Sequence, residues 1–196
     1  MKRHAVYPAM LVGIALTFAS ISCGKAGAAP DAKQVRDTEW NVCVCKAVPF
    51  SDTTTGIDSD TTYTVADTAA VNQKLRGVKP ENLSLGWTIP GADAKIWLFA
   101  YESQPILSET VTVTEAYSIH AYGGIIQVTF RFADAGKWAT ITKENIGKRL
   151  AVFVNGQLMN APQVNMEISS GNCSVTIPAD KIHDYLPDFD VDALKQ

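Results

Sequence analysis

The fold is decided by residues 127–176, which read QVTFRFADAGKWATITKENIGKRLAVFVNGQLMNAPQVNMEISSGNCSVT. The first residues of this stretch alternate between apolar and polar side chains, which is typical of a strand with one buried face. Asp134 and Gly147 then enclose a segment of helical periodicity, as its N-cap and its C-terminal stop. Asn155-Gly156 predicts a type I′ hairpin turn, because both residues tolerate positive φ. A strand, a helix and a hairpin in this order predict an α+β fold.

The remaining segments extend this α+β pattern, with small mixed and antiparallel sheets and a few short helices. Asp67 predicts the N-cap of a helix that runs to Gly77, and a further short helix is predicted at 180–186. The segment 51–62 is rich in Ser, Thr, Asp and Gly and predicts a polar loop. Strands are predicted at 40–48, 83–87, 95–101, 126–132, 149–154, 157–159, 164–168 and 173–177, and 111–119 is a segment of mixed pattern. The strand at 95–101 is nearly all apolar, so we expect it to lie in the centre of a sheet.

The composition excludes several classes of protein. The chain has 196 residues, of which 46% are apolar and 19% charged, as in a globular protein. It carries 17 Lys and Arg against 20 Asp and Glu, so it lacks the positive charge that binding to a phosphate backbone requires. Four cysteines are too few for a disulfide scaffold of this length. We therefore expect neither nucleic acid nor a cofactor nor a small-molecule substrate as a ligand.

The N-terminus has the pattern of an export signal. Lys2 and Arg3 precede an apolar run over 9–21, which is shorter than the ~20 residues that span a bilayer. Cys23 follows small residues, an arrangement that resembles the lipobox of bacterial lipoproteins, in which this cysteine is acylated. The alternative is ordinary secretion with cleavage within 26–29. Removal of residues 1–22 would delete Lys2 and Arg3 and change the formal charge from −3 to −5.

Four segments are predicted along the chain. Residues 1–22 are the signal peptide, and 23–38 hold the lipidated cysteine and a tether rich in Ala, Gly and Lys. Residues 39–103 form an N-terminal α+β unit, and 104–196 form a second domain. Outside the signal, no apolar run has the length of a membrane helix.

The stretch that decides the fold resembles a known family, the head subdomain of the first periplasmic domain of SecD and SecDF protein-export membrane proteins. The family pattern is a helix ending in Thr-x-x-Asn-x-Gly-Lys, then Leu-Ala, an Asn-Gly hairpin, Ala-Pro and Ile-x-x-Gly. The residues that match it are Thr142, Asn145, Gly147, Lys148, Leu150, Ala151, Asn155, Gly156, Asn160, Ala161, Pro162, Ile168 and Gly171. Residues 65–101 are similar, more loosely, to the adjoining base of the same periplasmic domain.

The resemblance implies a SecDF periplasmic head-like fold and a role in protein export. The family surrounds this domain with membrane helices that couple proton flow to preprotein movement, and we expect none of them here. The chain is accordingly identified as a stand-alone lipoprotein of the Bacteroidota type, exported to the cell envelope and facing the periplasm. The motif residues are interpreted as structural, with a second interpretation as a binding surface, because the turn and the helix end explain the glycines and Asn155.

The reactive residues show no catalytic pattern. His120 and His183 are the two histidines after the signal, and neither lies near a nucleophile motif. Cys43 and Cys45 alternate on one strand and should share a face, but with Cys173 they lack a fourth ligand for zinc. Buried free thiols are one interpretation, and a disulfide from Cys173 to Cys43 or Cys45 is the other. The sequence therefore predicts a protein that is not an enzyme.

Two functions follow from these observations. The first is a binding module that holds exported, unfolded polypeptide or components of the Sec translocon at the membrane surface, and addition of a strand to a sheet edge is a physical route for this. The second is a structural or assembly lipoprotein that binds one folded envelope partner.

Overall fold

The structure is a computed structural model and describes residues 38–78, 80–91, 93–118 and 124–187. The helices are α1 (Thr68–Leu75) and α2 (Ala135–Glu144), and single 3-10 turns cover Val65–Asp67 and Ala179–Asp184. The strands are β1 (Glu39–Val48), β2 (Ser51–Asp52), β3 (Ile57–Asp58), β4 (Thr61–Thr64), β5 (Leu83–Trp87), β6 (Lys95–Glu102), β7 (Leu107–Ser118), β8 (Ile125–Arg131), β9 (Arg149–Val154), β10 (Gln157–Asn160) and β11 (Asn172–Pro178). These helices and strands confirm the predicted α+β class. Most of the structure is antiparallel sheet.

Strand β1 organises the sheet. On one side it pairs with β9, and on the other it pairs first with β7 and then, at Ala47 and Val48, with β6. The path continues as β10-β9-β1-β7-β8-β11, while β4 and β5 are added through β6. The predicted boundary between residues 103 and 104 therefore falls inside one continuous sheet, because a ten-residue strand of the first segment pairs with two strands of the second.

The main core lies against one face of this sheet. Trp40, Val42 and Val44 alternate along β1 and are fully buried, as the period of two requires. They pack with the inner side chains of β7, β8, β9 and β11 and with Trp138 of α2. Trp40 and Phe130 meet edge to face, with ring centroids 6.0 Å apart.

A second core lies on the opposite face. It contains Cys45, Phe99, Ala151, Leu158 and Ala161, with Tyr101 and Phe153 half-buried beside them. The sheet curls around this cluster, because Ile89 N–H donates to Leu158 O at 3.2 Å and connects the segment after β5 to β10. Gly86 of β5 has no Cβ to obstruct the ring of Tyr101, whose Cε1 lies 3.0 Å from where that atom would stand.

Most predicted elements are confirmed. The segment 40–48 forms β1 with both thiols on one face, the segment 95–101 lies in β6 between β5 and β1, and the strand and helix on either side of Asp134 are present. Asp134 is the N-cap, and its Oδ1 accepts from Lys137 N at 2.8 Å. The predicted turn is also present, with φ of 49° at Asn155 and 83° at Gly156.

Three local predictions are wrong. The segment 164–168 forms no strand, and the residue before it, Gln163, forms an isolated bridge with Arg149. The segment 51–62 contains β2, β3 and the start of β4 rather than only loop. Asp67 directly precedes α1, but its side chain does not cap this helix. Its carboxylate instead accepts from the backbone N–H of Thr64, the residue before the 3-10 turn. The short helix predicted at 180–186 is present as a 3-10 helix over Ala179–Asp184.

No helix within the described ranges is long and apolar enough to cross a membrane. The predicted signal peptide, Cys23 and His120 lie outside those ranges.

Candidate binding surfaces and the family motif

The polar residues of the motif connect α2 to the chain that returns after the hairpin. Thr142 is fully buried, and its hydroxyl lies 3.0 Å from the carbonyl oxygen of Trp138 and accepts from Ile168 N–H at 2.9 Å. Asn145 is also buried, and its Nδ2 donates to Ile141 O at 2.8 Å, which satisfies a carbonyl at the helix end. These two side chains supply hydrogen bonds that the irregular backbone lacks.

The Gly-Lys and Ala-Pro pairs of the motif join the same two segments through the backbone. Gly147 has a φ of +81° and donates from its N–H to Val164 O at 2.8 Å. Val164 N–H donates to Lys148 O at 2.8 Å, and Leu150 N–H donates to Pro162 O at 3.1 Å. The side chain of Lys148 is exposed and takes no part in these bonds.

Asn155, Ala161 and Gly171 of the motif also have structural roles. Asn155 accepts from Asn41 N–H through its side-chain oxygen at 3.0 Å, which fixes the hairpin against β1. Ala161 is buried in the second core, and its carbonyl oxygen accepts from Arg149 Nη1 at 2.9 Å. Gly171 has a φ of +77°, and a Cβ there would stand 3.0 Å from Ala135 Cβ. The motif thus specifies the local fold.

Two exposed apolar side chains lie at variable positions within the motif. Ile146 is 50% exposed and lies between Asn145 and Gly147, and Met166 is 59% exposed in the returning segment. An ion pair between Lys143 Nζ and Glu167 Oε2, at 3.7 Å, links the two segments beside these residues. We call Ile146 and Met166 the motif-end patch.

The three described cysteines are free thiols. Cys45 belongs to the second core, whereas Cys173 packs against the main core, so they lie in different clusters. Burial raises the pKa of Cys45 to about 11 and that of Cys173 to about 12, which keeps both protonated at neutral pH. Cys43 lies 3.1 Å from Ser108 Oγ. This arrangement is that of the free-thiol interpretation, and the disulfide from Cys173 to Cys43 or Cys45 stays a prediction.

The described residues offer little for chemistry. No cluster of three or more His, Cys, Asp or Glu side chains suited to a metal occurs among them. His183 is exposed, and its Nδ1 lies 3.2 Å from Pro187 O rather than near a nucleophile.

Comparison with known proteins identifies the motif region. Residues 89–181, a little under half of the chain, match the family described as SecDF, P1 head subdomain. Residues 89–181 are therefore a SecDF P1 head-like domain.

Curated relatives agree with the SecDF head assignment. The protein translocase subunit SecD of Leptotrichia buccalis is 34% identical over 74 residues, which are 37% of this chain and 18% of the relative. The SecD subunit of Acidaminococcus fermentans is 35% identical over 51 residues, 25% of this chain and 12% of the relative. The chain therefore spans less than a fifth of the length of either protein.

Two solved SecDF structures are also similar. One, a membrane component that enhances protein export, has a TM-score of 0.35 and 20% identity, covering 72% of this chain and 56% of its own. The other, SecDF in a super-membrane-facing form, has a TM-score of 0.37 and 18% identity, covering 74% of this chain and 17% of its own.

Sequence reasoning missed several features of the SecDF head-like region and its surroundings. Strand β1, from outside the matched region, lies at the centre of its sheet. The sequence did not indicate that Ile146 and Met166 would remain exposed, because both fit apolar patterns of a buried helix and strand. The one available signal was Pro162, which restricts strand pairing immediately before the segment that carries Met166.

Proposed function

We propose that this protein is a non-catalytic envelope protein whose SecDF P1 head-like domain binds polypeptide during protein export. The match of residues 89–181 to the head subdomain carries this proposal, since that family belongs to the protein-export machinery. The partners are exported, unfolded chains or components of the Sec translocon. The contact surface in this proposal is the motif-end patch, because Ile146 and Met166 are exposed beside the residues that define the family.

The binding surface is tested by cross-linking in cells. A photo-reactive amino acid is placed at position 146 or 166, and at position 65 as a control, because Val65 is 51% exposed and so matches Ile146 in exposure. We expect adducts from positions 146 and 166 with many exported proteins or with translocon subunits, and few adducts from position 65. Equal yields at all three positions would contradict the proposed surface.

The same experiment separates the two functions predicted from the sequence. Many heterogeneous adducts support a client binder. A single stoichiometric adduct with a folded envelope protein instead supports the structural or assembly lipoprotein.

We propose further that Cys23 is acylated and anchors the protein to a membrane on the periplasmic side. The support is the sequence pattern of residues 1–23. Mass spectrometry of the mature N-terminus should find Cys23 as its first residue carrying acyl chains, and Cys23→Ala should release the protein from the membrane fraction. A mature N-terminus within 26–29 would contradict the anchor.

A further inference from the structure

Strand β5 has an edge with unpaired hydrogen-bonding groups. It pairs with β6 in a register that aligns Leu85 with Ala100 and Gly86 with Phe99. The flanking bonds fix which residues face β6, because Ser103 N–H donates to Asn82 O and Thr88 N–H donates to Trp97 O. Even-numbered residues therefore bond across to β6, and Leu83, Leu85 and Trp87 direct their backbone groups away from it.

The outward groups of Leu85 are open. Among the described residues, no strand pairs with this side of β5, and neither the N–H nor the C=O of Leu85 has a backbone partner there. At the ends of β5, two outward backbone groups already have hydrogen-bond partners. Trp87 O accepts from Gln157 Nε2 at 3.1 Å, and Leu83 N–H donates to Pro80 O at 3.4 Å. The available edge is thus centred on Leu85, with Leu83 C=O and Trp87 N–H on either side.

An apolar groove lies beside this edge. Its volume is about 350 Å³, and it is lined by Asn72, Leu75, Val78, Pro80, Leu83 and Leu85. The side chains of Leu85 and Trp87 face α1 and pack near the buried Val71, whereas Gly86 lies on the opposite face under Tyr101. Alternate side chains of a strand added at this edge would therefore enter the groove.

We propose that the edge of β5 and this groove bind an extended polypeptide segment, which adds to the sheet as a further strand and inserts an apolar side chain beside Leu75 and Leu85. The inference rests on the proposed function and deepens it by naming a second point of contact. An open peptide edge selects a ligand with its own backbone N–H and C=O groups, and the adjacent groove selects alternating apolar residues. A small molecule or a folded surface would satisfy only one of these two features.

The charges around the groove complement an acidic residue in this segment. Lys74 and Arg76 are exposed on either side of Leu75, and Glu81 is exposed in the turn before β5. In the sequence, residues 74–81 carry three positive charges and one negative charge, although the whole chain is negative. A segment with an acidic residue next to its apolar residues therefore fits the groove best.

Amide exchange measured by NMR tests the edge directly. The probe is a nine-residue synthetic peptide in which leucines alternate with serines and one end carries aspartate, and the control peptide has prolines in place of the serines. We expect the Leu85 amide to exchange rapidly in the free protein and to become protected when the first peptide, but not the proline peptide, is added. Protection that is absent, or confined to other strands, would overturn the inference.

A pair of variants separates the edge from the groove. Leu85→Ala keeps the outward N–H, whereas Leu85→Pro removes it and leaves the bonds to β6 in place, because edge strands tolerate proline where the N–H faces outward. We expect Leu85→Pro to bind the peptide about tenfold more weakly than Leu85→Ala, from loss of one hydrogen bond. Equal binding by the two variants would overturn strand addition.

Three further outcomes are informative. Protection of Leu85 that rises with protein concentration in the absence of peptide would identify a second copy of this chain as the occupant and overturn the proposal. Cross-linking of exported chains at positions 146 and 166 without peptide protection at Leu85 would overturn the edge inference alone and leave the proposed function intact. Protection of Leu85 without adducts at positions 146 and 166 would leave the edge inference intact and contradict the motif-end patch as the contact surface.

Discussion

Ile168 and Thr142 are joined by a hydrogen bond of 2.9 Å, in which the backbone N–H of Ile168 donates to the buried hydroxyl of Thr142. The same hydroxyl lies 3.0 Å from the carbonyl oxygens of Trp138 and Ala139 and donates within α2. One side chain thus connects a helix to a segment that belongs to no strand. This double role explains why a threonine stands at position 142 of the family motif.

Replacement of Thr142 by valine should destabilise the protein. Thr142→Val keeps the volume and removes the hydroxyl, so that the Ile168 N–H loses its partner in a buried position. We expect the free energy of unfolding to fall by about 1–3 kcal/mol, measured by urea denaturation followed by circular dichroism. Thr140→Val is the matched control, because Thr140 is exposed and its hydroxyl bonds only to Gly136 O of its own helix. An equal loss in both variants would contradict the connecting role.

Two glycines of the motif should respond differently to alanine. Both Gly171 and Gly156 have positive φ, so alanine at either position costs about 1–2 kcal/mol in backbone strain. At Gly171 the new Cβ would also stand 3.0 Å from Ala135 Cβ and 3.2 Å from Phe132 O, whereas at Gly156 nothing lies within 4 Å. Gly171→Ala should therefore lower the free energy of unfolding more than Gly156→Ala in the same denaturation assay. A larger loss of stability in Gly156→Ala would show that Ala135 and Phe132 shift to accommodate the new Cβ at position 171 without a cost in free energy.

The elements that the sequence predicted well are those whose signals are local. The alternating segment before Asp134, the helix that follows it and the Asn155-Gly156 turn each depend on residues within one short window. Burial in these elements follows the same periodicity, as Trp138 and Ile141 show in α2.

The parts that escaped prediction depend on distant partners. The pairing of β1 with β6, β7 and β9 joins residues more than fifty positions apart, and no local pattern encodes it. The segment 164–168 is apolar enough for a strand, yet its N–H groups bond to Lys148 O and to the Thr142 side chain, so no ladder forms. The edge of β5 and the exposure of Met166 are likewise consequences of tertiary packing.

Arg149 should stabilise the protein through its bond to the backbone rather than through its ion pair. Its Nη1 donates to Ala161 O at 2.9 Å, while its Nε lies 3.4 Å from Asp60 Oδ2 with both side chains more than 40% exposed. Arg149→Lys should cost about 1 kcal/mol in unfolding free energy. Asp60→Asn should cost less than about 0.5 kcal/mol, because exposed ion pairs contribute little. A larger effect of the Asp60 variant would assign the stabilisation to charge.

The buried thiols should make the protein less stable in alkali. Burial raises the pKa of Cys173 to about 12 and that of Cys45 to about 11, from about 9 in the unfolded chain. Below about pH 9 both states hold neutral thiols, and above it the unfolded state loses protons that the folded state retains. The free energy of unfolding should therefore decrease as the pH rises from about 9 towards 12. Urea denaturation under reducing conditions at pH 8 and pH 10.5 measures this decrease.

Variants assign the alkaline effect to the core thiols. Cys173→Ala removes a thiol that packs against the main core, so the loss of stability between the two pH values should be smaller than in the unmodified protein. Cys43→Ala is the comparison variant, because Cys43 belongs to neither core cluster and its effect on the titration is to raise the pKa of Cys45, which is mainly raised by burial. The tyrosines with raised pKa values, Tyr101, Tyr117 and Tyr185, act in the same direction but are present in every variant. An unchanged pH dependence in Cys173→Ala would therefore assign the alkaline loss to Cys45 and these tyrosines and not to Cys173.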